Sequence, residues 1–181
     1  MSNIYFFRGK AATGKTTITD ALSDKIKVSI LRKDNIFDVI SYYIDDNSLN
    51  NSITYDLLAK MIQTNINNCT DIIVDIGLSN TDSWNLFLSK IDFKNCRVFT
   101  FYCDCSDLDV WRNRLKDRFI NPSPNQYFKT FEEVLSYYSK CKIELLEDEY
   151  YLDSLLNLEI ILNIVLDLVL LTKKGGTYEN L

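Results

Sequence analysis

Short apolar runs, each closed by a glycine, a carboxylate or a polar turn, alternate along this chain with longer stretches in which apolar residues recur every three or four positions. The first run, residues 4–8 (Ile-Tyr-Phe-Phe-Arg), stops at Gly9. An almost unbroken apolar run of that length reads as a strand buried on both faces. Further strands are predicted at Val28–Leu31, Ile72–Ile76, Arg97–Cys103 and Glu149–Leu152. Helices are predicted from about Lys15 to Lys27, over Asn35–Ile44, Ile53–Asn67, Trp84–Ile91, Leu108–Phe119 and Phe131–Cys141, and from Leu158 to a stop before Gly175-Gly176. In the Ile53 helix, Leu57, Leu58, Met61, Ile62 and Ile66 recur at helical spacing. The polar stretch Asp45–Ser52 reads as a break, Asn121–Gln126 with both prolines as a loop, and 175–181 as a loose tail. Strands alternating with helices imply βαβ units, hence an α/β fold with a parallel sheet covered on both faces. No repeat or linker divides residues 1–181, so one domain is expected.

Composition narrows the chemistry. The sequence contains no histidine, which removes a Ser-His-Asp triad, a histidine base and histidine metal ligands. A net charge of −5 argues against an extended nucleic-acid footprint. The most apolar stretch, 160–171, is broken by Asn163 and Asp167 and is too short to span a bilayer, so it reads as a core-packed helix and no membrane is expected. Five cysteines and no signal-peptide pattern fit reduced thiols and a cytoplasmic setting. Cys103 and Cys105 close a strand but lack further ligands for a metal, and read as buried thiols.

The strongest motif is Gly-x4-Gly-Lys-Thr, residues 9–16, set between a strand and a helix. The predicted nucleotide-binding segment is Gly9, Lys10, Ala11, Ala12, Thr13, Gly14, Lys15, Thr16 and Thr17. Glycines let backbone N–H groups converge on phosphate oxygens, and the following helix turns its positive end toward the same anion. Lys15 then reaches the β and γ phosphates of ATP or GTP, and the Thr16 hydroxyl ligates Mg²⁺.

Carboxylates and arginines complete the expectation. Asp75 closes the strand Ile72–Val74, where it is placed to hold Mg²⁺ directly or through water. Asp34 follows the second strand, and sites in open α/β sheets lie beyond the carboxyl ends of strands. It can accept the proton of an attacking hydroxyl, or serve as N-cap of the helix near Asn35; Asp38 lies one turn on. In Trp111–Arg118, Arg114 and Arg118 are four apart, share a face beside the apolar stripe, and precede the proline-bearing loop. Their guanidinium forks suit phosphate oxygens, the competing role being a solvated basic face.

Taken together, the loop at 9–16, the strand-two Asp34, the strand-three Asp75 and the helix Leu-x2-Trp-Arg-x-Arg-Leu-x3-Arg at 108–118 resemble the small P-loop kinases. That group holds zeta toxins, chloramphenicol phosphotransferase and shikimate and gluconate kinases, with polynucleotide kinases more distant. The resemblance covers roughly residues 4–170 and implies a five-stranded parallel sheet of order 2-3-1-4-5 with a small lid, here about 119–130. It further implies that the loop binds ATP, that Asp34 meets the acceptor hydroxyl, and that Arg114 or Arg118 closes on the phosphates. The D-x2-R pattern of zeta toxins and polynucleotide kinases is missing, since Asn35-Ile36-Phe37-Asp38 follows Asp34. The expected activity is transfer of the ATP γ-phosphate to a hydroxyl of a small molecule, with catalytic Lys15, Asp34, Arg114 and Arg118. The competing expectations are a nucleotide-dependent switch and a nucleic-acid 5′-end kinase.

Overall fold

The computed structural model describes residues 1–122 and 125–173. Its centre is a parallel sheet of five strands: β1 (Ser2–Gly9), β2 (Ile30–Arg32), β3 (Ile72–Asp75), β4 (Cys96–Asp104) and β5 (Glu149–Asp153). Their order is β2-β3-β1-β4-β5, as the resemblance implied. The helices between and after them are α1 (Lys15–Ile26), α2 (Lys33–Tyr43), α3 (Asn47–Asn67), α4 (Thr81–Leu88), α5 (Leu108–Ile120), α6 (Phe131–Lys140) and, following β5, α7 (Leu158–Lys173).

The apolar runs become two-faced strands for a simple reason. Alternate residues of β1 point to opposite sides, so Tyr5 and Phe7 pack with Ile18, Leu22, Ile161 and Val165 of α1 and α7. Ile4 and Phe6 pack with Leu58, Ile62 and Trp84 of α3 and α4 on the other side. Neither face meets water, which is why the run carries no polar alternation. A third, smaller cluster gathers Ala12, Trp111, Leu115, Phe131 and Val134, and ties α5 and α6 to the phosphate loop.

Arg8 breaks the apolar run and is fully buried. Its guanidinium pairs with Glu149 of β5. It also donates to the carbonyls of Leu78, Ser79 and Glu144, and lies 4.7 Å from the centre of the Tyr102 ring. One buried cation thus joins β1, β5 and the loop after β3. Removing either partner of such a pair costs about 3–5 kcal/mol, because the other charge is left unpaired.

Three helix starts differ from expectation, and β2 begins at Ile30 rather than at Val28. The break after α2 is confined to a few residues, and α3 begins at Asn47 within the stretch Asp45–Ser52. Asp46 makes this possible: its carboxylate accepts from the N–H groups of Ser48 and Leu49 at 2.9 and 3.0 Å, a side-chain cap inside what reads as a polar linker. Likewise α4 starts at Thr81 because Asn80 accepts from the N–H of Ser83. The third is α2, which starts at Lys33, two residues before Asn35. The predicted stop at Gly175-Gly176 and the tail 175–181 lie outside the described residues, as does Pro124 of the proline-bearing loop. No described helix is long and apolar enough to cross a membrane.

Candidate active site

The phosphate loop sits where β1 ends and α1 begins, and its glycines are forced by contact. Gly9 has φ 140°, and a Cβ there would lie 2.1 Å from the Cys103 carbonyl oxygen of β4. Gly14 caps α1 with φ 81°, and Ala12 is left-handed at φ 58°. These turns curl residues 11–17 around the first turn of α1, whose free N–H groups face the space above.

Two cavities flank the loop. The larger, about 760 Å³, is lined by Ala11, Ala12, Thr13, Gly14, Lys15, Thr16 and Thr17, and by Asp34, Asp75 and Arg118. The smaller, about 450 Å³, lies across Ala12, Gly14 and Thr17 and is bounded by Ile18, Arg114, Arg118, Ser154, Leu156 and Ile161. The structure therefore brings together most residues expected from sequence. Gly9 and Lys10 are the exceptions: Gly9 is packed on β4, and the Lys10 ammonium turns away to Asp104 at 3.0 Å and the Trp111 ring.

Lys15 donates from Nζ to the carbonyls of Gly9 and Lys10, at 3.2 and 2.5 Å. Burial lowers its pKa from the ordinary lysine value, an effect that Asp75 opposes. The loop holds this ammonium against its own carbonyls, close to where a phosphate would draw it. Thr16 donates its hydroxyl to Asp75 Oδ2 at 2.9 Å, and Arg32 Nε donates to the same oxygen at 3.2 Å. A threonine hydroxyl beside a strand-end carboxylate is an oxygen donor set of the kind Mg²⁺ takes, completed by phosphate and water. Among the described residues no group of three or more His, Cys, Asp or Glu could hold a metal by itself. The buried Cys103 thiol is pushed up to about 12 by burial, so it stays protonated.

Asp34 lies in the first turn of α2 and its side chain is half exposed in the larger cavity. It is not the cap: Arg32 is the N-cap residue, and its side chain, engaged with Asp75 and Asp20, makes no capping bond. The alternative structural role for Asp34 thereby falls away. The two arginines of α5 separate. Arg114 donates to the Ser154 hydroxyl and carbonyl at 2.6 and 2.9 Å and borders the smaller cavity. Arg118 is exposed at the border of both cavities.

Several residues of the site carry no chemical motif. Lys33 is buried, 3.7 Å from Asp34 and 4.3 Å from the centre of the Phe37 ring. Its only sequence sign is a lysine four residues before an aromatic on one helix. Tyr138 of α6 accepts from the Ala11 N–H at 2.9 Å, while Trp111 Nε1 donates to the Ala11 carbonyl at 2.8 Å. Asn51 of α3 donates to the Tyr127 hydroxyl at 2.8 Å, and both residues line the larger cavity.

A family model described as an AAA domain matches residues 4–138. The chain belongs to that family. No curated protein matches it in sequence. Its fold is that of the small P-loop kinases, as solved structures attest. A sugar kinase from Janibacter sp. HTCC2649 is 13% identical, with a TM-score of 0.68 and coverage of 98% of this chain and 100% of that one. Shikimate kinase from Acinetobacter baumannii, solved with shikimate, is 15% identical, with a TM-score of 0.60 and 94% of each chain covered. A gluconokinase from Sinorhizobium meliloti 1021 is 9% identical, with a TM-score of 0.62 and coverage of 89% and 87%. At such identities the likeness is one of fold.

Proposed function

We propose that this AAA-family chain is an ATP-dependent kinase that transfers the γ-phosphate to a hydroxyl of a small molecule. The observation that carries the reading is the position of the loop between two cavities, with the Asp34 carboxylate in the larger one and Arg118 at the border of both. A switch protein needs room for its nucleotide; a second, walled space beyond the phosphates serves an acceptor. A 5′-end kinase needs a basic groove leading to the loop, and the lysines on that side, Lys33 and Lys90, are already paired with Asp34 and Asp56.

In this reading the base and ribose occupy the smaller cavity, against Ile18 and Leu156, and the phosphates lie across Ala12–Thr16. Lys15 leaves the loop carbonyls for the β and γ phosphate oxygens. Thr16 and Asp75 would hold Mg²⁺, which would supply neutralisation of phosphate charge. Asp34 takes the proton of the acceptor hydroxyl as its oxygen bonds to the γ-phosphorus. The bond from that phosphorus to the bridging oxygen breaks, and ADP leaves with the electron pair. Arg118 offers its fork to the charge that spreads over the transferring group, while Arg114 fixes the segment at Ser154 beside the nucleotide.

The test combines two readouts on one protein: the rise in Tm with Mg-ATP, and appearance of labelled phosphate in an organic product when hydroxylated compounds are added. Stabilisation by Mg-ATP with labelled phosphate recovered only as inorganic phosphate across acceptor pools would favour the switch. No stabilisation at all would remove the nucleotide reading.

A further inference from the structure

Along α6, Phe131, Val134 and Tyr138 recur at helical spacing and share one face. Phe131 and Val134 close that face on Trp111 and Leu115 of α5. The stripe ends at Tyr138, whose ring lies 5.8 Å from that of Trp111. Both rings carry a polar tip, and both tips reach the same residue of the phosphate loop. Tyr138 Oη accepts from the Ala11 N–H at 2.9 Å, and Trp111 Nε1 donates to the Ala11 carbonyl at 2.8 Å. Burial pushes the Tyr138 hydroxyl up to about 12, so it keeps its neutral form far above neutral pH.

The Ala11 N–H belongs to the peptide group that joins it to Lys10, and the oxygen of that group accepts from Lys15 Nζ at 2.5 Å. Lys15 and Tyr138 therefore hold the two ends of one planar unit, and Trp111 holds the carbonyl of the next. The path through these units is not one that local preference would keep. Ala12 stands at φ 58°, a left-handed conformation that costs an L-residue about 1–2 kcal/mol. Gly9 on the other side is at φ 140°. When Lys15 turns from the loop carbonyls to a phosphate, the two rings are what still pins this turn. Tyr138 also occupies the Ala11 N–H, so the N–H groups left for phosphate begin at Ala12.

We propose that Tyr138 is a positioning residue for nucleotide binding: with Trp111 it holds Ala11 so that the strained first half of the phosphate loop keeps the shape that receives phosphate, and it thereby joins α6 to the nucleotide site. This rests on the nucleotide reading of the loop and not on the identity of the acceptor. A residue that holds the loop's shape acts alike on every nucleotide the loop takes, with or without a γ-phosphate. Its loss lowers the fraction of chains with a competent loop and weakens apparent affinity by that fraction.

The experiment compares the full-length parent with Tyr138→Phe and Trp111→Phe, which keep a ring and remove one hydrogen bond each. Calorimetry measures binding of Mg-ADP and of a non-hydrolysable ATP analogue with Mg²⁺, and hydrogen exchange follows the Ala11 amide. Tyr138→Phe should weaken both nucleotides equally, by about three- to tenfold, the worth of one hydrogen bond. Its Ala11 amide should exchange faster, and its apo melting temperature should stay near that of the parent. Trp111→Phe should show the same equal loss. Affinities that stay at the parental values in both variants overturn the proposal, even if melting falls, because the bonds then serve only the fold. Loss confined to the ATP analogue also overturns it and places the Tyr138 hydroxyl on the γ-phosphate instead. So does an Ala11 amide whose exchange is unchanged in Tyr138→Phe. A parent that binds neither nucleotide removes the nucleotide reading and the proposal with it, whereas a parent that binds both beside unaffected variants removes the proposal alone.

Discussion

The phosphate end of the larger cavity is built from consecutive residues, Ala11 to Thr17, and works largely through backbone. The other end, proposed to take the acceptor, is built from side chains of α2, α3, α4, α6 and the segment before α6, far apart in the chain. The first kind of site tolerates almost any side chain where only an N–H is used, but depends on glycine wherever the path is tight. The second uses few special backbone angles and depends on which rings and amides meet. A loop of the first kind can therefore keep its pattern while the other end changes its ligand. The solved kinases that share its fold are 9–15% identical to it.

If the division holds, substitutions at the two ends will separate nucleotide binding from transfer. Lys15→Ala should have the largest effect, with phosphate transfer falling to background. Mg-ATP should no longer raise Tm, whereas the parent gains about 2.7 kcal/mol at a hundredfold excess over Kd. The apo melting curve should stay near that of the parent, because the hydrogen bonds that the Lys15 ammonium makes among the described residues go to carbonyls of its own loop. An unchanged ATP response would break the comparison at its phosphate end.

Asp34→Asn comes next. It keeps shape and removes the proton acceptor, so kcat should drop by about 10²–10⁴ with nucleotide affinity retained. Equal turnover by variant and parent would leave Asp34 without a catalytic part. The α5 arginines give a sharper contrast, since they sit one turn apart with different surroundings. Arg118→Ala should lower kcat by at least tenfold with little change in KM, and Arg118→Lys should restore little, a point charge being a poor copy of the fork. Arg114→Ala should instead weaken ATP binding by a few fold through loss of the Ser154 contacts. Identical profiles for both would mean that the basic face of α5 is only solvated.

The smallest expected effect is Lys33→Met. Burial sets the Lys33 ammonium below its ordinary 10.5, despite Asp34 and Asp38 nearby. Between the lowered folded value and 10.5 the unfolded chain holds more protons on this residue, so its contribution makes stability rise with pH in that window. Methionine removes that contribution. Urea melts at increasing pH should show a less positive slope for the variant than for the parent, with stability at neutral pH within about 1 kcal/mol. A steeper slope would put the buried charge elsewhere.

Legibility in the sequence follows the same division. The inner strands β1 and β3 could be placed because strands covered on both faces write themselves as apolar runs, the partly exposed β2 and β5 only as short runs with apolar or aromatic residues, and the loop because its glycines are dictated by a 2.1 Å approach and a left-handed turn. Helix starts were less legible. Asp46 and Asn80 cap α3 and α4 from stretches whose polarity looks like loop. Asp34 and Arg118 could be proposed from their positions after β2 and on α5. Tyr138, Asn51 and Tyr127 could not, because a tyrosine hydroxyl acquires a role only when the fold carries it to a partner. Arg8 reads as the end of a strand, and nothing local tells that Glu149, 141 residues on, will bury it.

The indole of Trp111 has a consequence for observation. It donates to the carbonyl of Ala11, lies 5.3 Å from the Lys10 ammonium, and touches Phe131 and Tyr138 at the base of α6. The other tryptophan, Trp84, is sealed beneath Phe6 and Arg8 on the far side of the sheet. The protein thus carries two native fluorophores, of which Trp111 is hydrogen-bonded to the phosphate loop and Trp84 stacks on Phe87 at the wall of the larger cavity. Emission from Trp111 should move when a nucleotide enters. A Trp84→Phe chain would then report ligand arrival optically, without a label.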